Sequence, residues 1–314
     1  MGLDYQQDGF SWYPGPHAVA EIKVMPLQFT ADDGFLVTEQ ASLVLRAGWM
    51  SGSDDETLDK WNQFAAITGF ARDPWSGEVI LNSKVGIPDG DVAAAAMIYA
   101  PIISLAAAGM TWVAERFARS DFSVSPEHSP YVGVEDEPPV ESGAFVQALK
   151  GVVEPRGFVG TVDSGSLTFE IPWDAGALTQ MARIPSIRGH LKALLGLDGQ
   201  SSEELTGRTA LVQIRTDTRH PWFGRGVRCT LDLPLSPNDP GVLELVRDLN
   251  SWELETPDLP PYFGAWVVGP RAPMFTTFVP NQLCMPGLVT NLAAWSAGRG
   301  EQVRRWLSAG GARS

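Results

Sequence analysis

Large aromatic and proline landmarks recur at matched distances in the two halves of this 314-residue chain, and that recurrence limits the possible folds more than any other feature. Leu58-Asp59-Lys60-Trp61 aligns with Leu249-Asn250-Ser251-Trp252, and fourteen residues separate Trp61 from Trp75 just as fourteen separate Trp252 from Trp266. Pro88 comes thirteen residues after Trp75, and Pro280 fourteen after Trp266. The closing segments Val113-Ala114-Glu115-Arg116-Phe117 and Val303-Arg304-Arg305-Trp306-Leu307 begin twenty-five and twenty-three residues beyond those prolines. Equal lengths for a helix, a hairpin and a final helix predict two copies of one αβ module. The alternative is chance, because a chain with eleven tryptophans repeats some of them anyway.

Local pattern fills in the first copy. Ile22 to Phe29, Phe35 to Thr38 and Leu43 to Gly48 are rich in β-branched and aromatic residues and are punctuated by Asp32-Asp33-Gly34, which predicts three strands. Ser53-Asp54-Asp55-Glu56 stands ahead of Leu58, Trp61, Phe64, Ala65 and Thr68, so a helix is expected from about residue 55 to Gly69. A hairpin, Phe70 to Arg72 and Glu78 to Ile87, follows around the turn Asp73-Pro74-Trp75-Ser76-Gly77. A long helix from Val92 to Ala118 closes the order βββαββα.

Residues 121–142 change composition to Pro, Ser and acidic residues and read as a linker between a first module, residues 1–120, and a second, residues 143–314, with an N-terminal extension. The second half is expected to hold a helix from Gly143 to Val152 and a strand pair within Gly160 to Ile171. Helical stretches near Ala175 to Ile184 and Ile187 to Leu195 come next, then strands near Ala210 to Thr216 and Gly226 to Leu235. A helix from Pro240 to Trp252, a hairpin from Tyr262 to Val279 and a helix from Asn281 to Leu307 complete it.

Charge and composition limit the partners. Thirty-seven acidic against twenty-three basic residues leave a net charge of −14, which removes the phosphate attraction behind nonspecific nucleic-acid binding, so no nucleic acid is expected. Two cysteines, Cys229 and Cys284, read as buried thiols in a reducing compartment, and no secretory leader is seen, which makes the cytoplasm the expected location. Val92 to Ala114 carries no charge, yet it is alanine-rich, with Pro101 and Gly109 inside, and is expected to be a buried helix and no membrane span.

Chemistry-bearing constellations are sparse. His17, His128, His190 and His220 lack ligand spacing with the two cysteines, so neither a metal nor a cofactor is expected. Ser164 and Ser166 in Asp163-Ser164-Gly165-Ser166 read as a hairpin turn, without a nucleophile elbow. The loop His220-Pro221-Trp222-Phe223-Gly224-Arg225-Gly226 reads as loop packing or, with Asp217 or Asp232, as a hydrolase site. Arg299, Arg304, Arg305 and Arg313 read as the solvated end of the last helix.

The Trp61-Asn62 pair ending a helix, the hairpin strand Gly77-Glu78-Val79-Ile80-Leu81, Gly86 and a long final helix resemble the YbjN-like family, whose members look like bacterial type III secretion chaperones in fold. The resemblance covers residues 20 to 120 well and 205 to 308 more weakly. The second copy departs from the pattern in its hairpin, at Pro270 and Pro273. It implies an α+β fold in which each module is an antiparallel sheet with helices on one face, and in which two modules in one chain pair as a covalent pseudo-dimer, monomeric in solution. It also implies no catalytic residues. The function expected is therefore chaperone-like binding of a polypeptide partner at apolar grooves and sheet edges, through aromatics a core does not need: Trp49, Trp75, Trp222 and Trp266. An enzyme using the His220 loop and a structural assembly component are the alternatives.

Overall fold

A computed structural model describes residues 3–6, 9–15, 18–26, 37–47, 50, 52–64, 68–88, 110, 112–119, 142–173, 209–221, 223–239, 241–255, 264–281 and 287–308. The fold is α+β and is built on two six-stranded antiparallel sheets. The first contains β1 (Leu3–Gln6), β2 (Gly9–Gly15), β3 (Ala18–Pro26), β4 (Val37–Ala47), β5 (Gly69–Arg72) and β6 (Val79–Pro88), in the order β1-β2-β3-β4-β6-β5. The second contains β7 (Gly160–Asp163), β8 (Ser166–Pro172), β9 (Thr209–His220), β10 (Gly224–Asp232), β11 (Ala265–Val268) and β12 (Pro273–Pro280), in the order β7-β8-β9-β10-β12-β11. The two orders are the same: four strands meander, and the last hairpin returns so that its second strand pairs with the fourth.

In each half a helix bridges the fourth and fifth strands. Helix α1 (Asp55–Asn62) starts where the Asp54 side chain accepts a 2.7 Å hydrogen bond from the backbone N–H of Thr57, with Asp55 and Glu56 in the first turn complementing the helix dipole. It stops at Asn62, earlier than the expected Gly69, because that side chain is engaged with β5. The other bridging helix buries Val242, Leu245, Val246 and Leu249, one stripe at helical spacing, and runs Val242–Glu255. We number the helices of the second half α2 (Ser142–Ala148, continued by a π-helical turn over Leu149–Val153), α3 (Val242–Glu255) and α4 (Leu288–Ser308).

Strand alternation shows which sheet face is covered. Val212 and Ile214 on β9, and Val227, Cys229 and Leu231 on β10, are all buried, and the Cys229 thiol lies 3.0 Å from the Ser296 hydroxyl of α4. In the first half Phe117, on the helical residues 112–118, stacks on Trp61 and Phe70 at 5.3 and 4.7 Å between ring centroids. One continuous cluster of buried apolar residues runs through both halves.

Three expectations are corrected. Phe35 to Thr38 and Leu43 to Gly48 are one strand, β4. Two further strands, β1 and β2, precede the first expected one, so the first half begins ββββ. The second half's extension is no appendage, since β7 and β8 are the outer two strands of its sheet. Residues 121–141, the helices expected at 175–184 and 187–195, and most of the helix expected at 92–118 lie outside the described residues.

Candidate functional site

The seam between the halves is built from the two edge strands β5 and β11 and the two bridging helices. Helix α3 packs on β5, and α1 packs on β11, each helix reaching the other half's edge. At the centre of each half an asparagine grips the edge strand by both backbone groups. Asn62 Nδ2 donates to the Phe70 carbonyl at 2.9 Å while its Oδ1 accepts from the Phe70 N–H at 2.7 Å. Asn250 does the same to Trp266, at 2.9 and 2.8 Å. All four residues are buried. The grips continue across the seam: the Val268 N–H donates to Asp59 Oδ1 at 2.8 Å, and the Ser251 hydroxyl donates to the Arg72 carbonyl at 3.1 Å. A Cβ on Gly69 would overlap the Gly264 carbonyl, so the two edges meet where only glycine leaves room.

Matching the two clamps sets a register that differs from the tryptophan alignment. Asn62 corresponds to Asn250 and Phe70 to Trp266, which places Trp61 opposite Leu249 and Trp252 opposite Phe64. Trp61 and Leu249 are both buried, while Phe64 and Trp252 are both half-buried. Trp75 corresponds to no tryptophan: it lies in the β5–β6 turn, where the second hairpin carries Arg271. The equal Trp spacings therefore join positions of different kind. The signal that does align is a helix-borne asparagine eight residues before an aromatic in one half and sixteen in the other.

Buried charge concentrates on one side of the seam. Glu253, fully buried on α3, accepts from Arg299 Nε at 2.7 Å and from the Trp266 indole N–H at 3.0 Å. Lys84 of β6, also buried, donates to the Glu253 backbone carbonyl at 2.6 Å and so ties the first half's sheet to the second half's helix. Desolvation pushes the Lys84 pKa down to about 8; the Glu253 carboxylate opposes the shift and the Arg299 cation adds to it. Beside the seam, Asp55 pairs with Arg72 at 2.9 Å and with Arg247 at 3.3 Å. Asp55, Arg72 and Arg247 line a cleft of about 300 Å³, solvent included, between α1, β5 and α3.

Of the four tryptophans expected to meet a partner, Trp49 and Trp222 lie outside the described residues. Trp266 is wholly buried, its N–H spent on Glu253, so it is a core residue and offers no surface. Trp75 is 90% exposed and stands on a rigid turn. Asp73 builds that turn: its Oδ1 accepts from the N–H groups of Trp75 and Ser76 at 2.9 and 3.1 Å, and Arg46 holds its Oδ2 at 2.9 Å. Partial burial pushes the Asp73 carboxyl up, but those three donors outweigh it and hold the group below the usual carboxylate range. Gly77, at φ 70°, closes the turn. A large apolar side chain is thereby displayed on a fixed support.

The other chemical candidates are dispersed. His220 is 1% exposed, its Nε2 is 3.2 Å from the Phe64 carbonyl and its ring packs on Phe223 and Phe278. Desolvation, helped by the Arg228 cation and opposed by the Phe64 carbonyl, pushes its pKa down to about 3. Asp232 cannot assist it, because His220 pairs with Gly224 at one end of β10 and Asp232 with Leu211 at the other. The side chain of Asp217 lies outside the described residues. Ser164 sits in the β7–β8 turn, its N–H bonded to Asp163 Oδ1 at 2.7 Å. Burial pushes the Cys229 thiol up to about 11, and Cys284 is outside the described residues. Among the described residues no three His, Cys, Asp or Glu side chains gather as metal ligands. No described helix is long and apolar enough to cross a membrane, and most of 92–114 lies outside the described residues. Comparison with protein families, with curated proteins and with solved structures finds no match to this chain.

Proposed function

We propose that this chain is a non-enzymatic, chaperone-like protein-binding protein: a covalent pseudo-dimer of two duplicated modules resembling the YbjN-like and type III secretion chaperone-like folds, which holds a segment of another polypeptide at the Trp75 turn and the adjoining sheet surface. The observation that carries the reading is the pair of asparagine clamps placed alike in two sheets of the same strand order. Two unrelated sequences have no physical reason to secure the same edge strand with the same reciprocal bonds, since a helix side chain reaches a neighbouring strand in many ways. Joining two such modules through β5 and β11 covers the edges that would otherwise invite aggregation, which leaves the outer parts of each sheet for a partner. A cytoplasmic setting belongs to the same reading.

Two measurements test it. Light scattering of the purified chain gives a monomer near 34.0 kDa if the pseudo-dimer is internal; a stable homodimer refutes it. Trp75→Ala leaves stability within about 0.5 kcal/mol of the parent, because the side chain is exposed, yet it lowers recovery of a stoichiometric polypeptide partner on co-purification. Undiminished recovery refutes the assignment of Trp75.

A further inference from the structure

The face of the second sheet that points away from α4 carries two arginines in direct register. Cys229 faces α4, so its neighbour Arg228 faces away from that helix. Arg228 is paired directly with Arg215 across β9 and β10, and a β-bulge follows immediately, with Thr216 and Asp217 opposite the single residue Val227. Like charges placed opposite each other destabilise a sheet. Arg46, Arg72, Arg247, Arg271 and Arg299, by contrast, all lie against carboxylates. The side chains of Arg215 and Arg228 make neither an ion pair nor a hydrogen bond among the described residues. Arg228 is half-buried, and its Nε is buried without a partner.

The surroundings fit a polar chain better than a small molecule. In register with the pair lies Ser166 of β8, and the next row along the same face is Thr168, Gln213 and Thr230, a run of neutral hydrogen-bonding groups across three strands. Arg215 is exposed on this face, and its neighbours Ser166, Thr168, Gln213 and Thr230 are half-buried. Two guanidinium forks about 5 Å apart at their Cβ atoms match successive carboxylates or a bidentate one. In a chain of net charge −14, a long polyanion such as a nucleic acid is repelled by the rest of the surface. A short acidic segment can seat its carboxylates on the pair while Asp163, two strands from Arg215 in the same row, is largely screened at physiological salt, where the Debye length is about 8 Å.

We propose that Arg215 and Arg228 form a carboxylate-recognition site for an acidic stretch of the bound polypeptide. The inference rests on the protein-binding reading and specifies which sequences it selects. The test is titration of fluorescein-labelled deca-glutamate with the full chain, followed by anisotropy at low and high salt. Arg215→Glu is the exposed, fold-preserving variant, and Arg305→Glu, exposed on α4, is the control for net charge. The parent is expected to bind with an affinity that falls with salt, Arg215→Glu to bind about tenfold more weakly or worse, and Arg305→Glu to stay within about twofold. Absence of binding at low salt, equal loss in the two variants, or tighter binding of deca-thymidylate or inorganic phosphate overturns the site. The two readings fail separately. A chain that binds deca-glutamate through Arg215 but co-purifies with no polypeptide sinks the binding-protein reading alone, whereas a partner held equally well by Arg215→Glu sinks the arginine site alone.

Discussion

Replacing Asn250 by alanine removes both hydrogen bonds that secure β11 to α3, and the structure gives the expected cost. The two bonds, 2.9 and 2.8 Å long, are each worth about 1 kcal/mol net. Trp266 is 0% exposed, so its N–H and carbonyl are left without partners in the interior, a further penalty of about 1 kcal/mol or more for each group unless water enters. The sum is roughly 4 kcal/mol. Asn62→Ala removes the matching pair at Phe70, 2% exposed, and is expected to cost the same within about 1 kcal/mol. The assay is urea unfolding followed by tryptophan fluorescence and by circular dichroism, read as a change in midpoint at constant slope. Because the apolar cluster is continuous across the halves, each variant moves one shared transition. A loss below about 1 kcal/mol in either variant refutes the energetic account of the clamp. A split into two transitions, with only the mutated half shifted, refutes the coupling of the halves.

Two further outcomes follow from the buried charges at the seam. Glu253→Gln keeps the shape but leaves Arg299 and Lys84 buried without their counter-charge, so a loss of about 3 to 5 kcal/mol is expected in the same assay; a loss under about 1 kcal/mol would mean that the ion pair is dispensable. Lys84 has a pKa of about 8 in the folded chain, below the 10.5 of the free amine. Between those values the unfolded chain binds the extra proton, so unfolding free energy rises as pH climbs from about 8 towards 10.5. Lys84→Met is expected to remove that rise, and a slope of the same size in the variant counts against Lys84 as its source.

Much of the element order was legible from local pattern, for identifiable reasons. The stripe Val242, Leu245, Val246 and Leu249 states a helix by itself, and Asp163-Ser164-Gly165 states a turn. The segments Leu3–Gln6 and Gly9–Gly15 state much less: the first has four residues and the second carries glycine and proline, and they are strands because β3 pairs with β2 and β2 with β1. The site residues divide the same way. Asp73-Pro74-Trp75-Ser76-Gly77 is readable as a turn with a projecting aromatic. Trp266, with the same residue type and the same distance from a preceding tryptophan, is core, because Asn250 and Glu253 draw its strand and its indole inward. Asn62 and Asn250 were readable as the residues flanking the landmark tryptophans, but their clamping role was not, since a buried amide is recognised only by the two backbone groups it bonds.

The amino-acid order alone determined that the chain is α+β, that its halves share a succession of helix, hairpin and helix, and that its net charge is −14. These follow from periodicity, turn chemistry and counting, which depend on neighbours along the chain. Only the tertiary structure decided which asparagines correspond, that Lys84, Glu253 and Arg299 meet inside the seam, and that Arg215 and Arg228 face each other with no ion pair to either side chain among the described residues. Those depend on strand register and helix packing between segments up to 209 residues apart, where a shift of one residue turns every side chain to the opposite face.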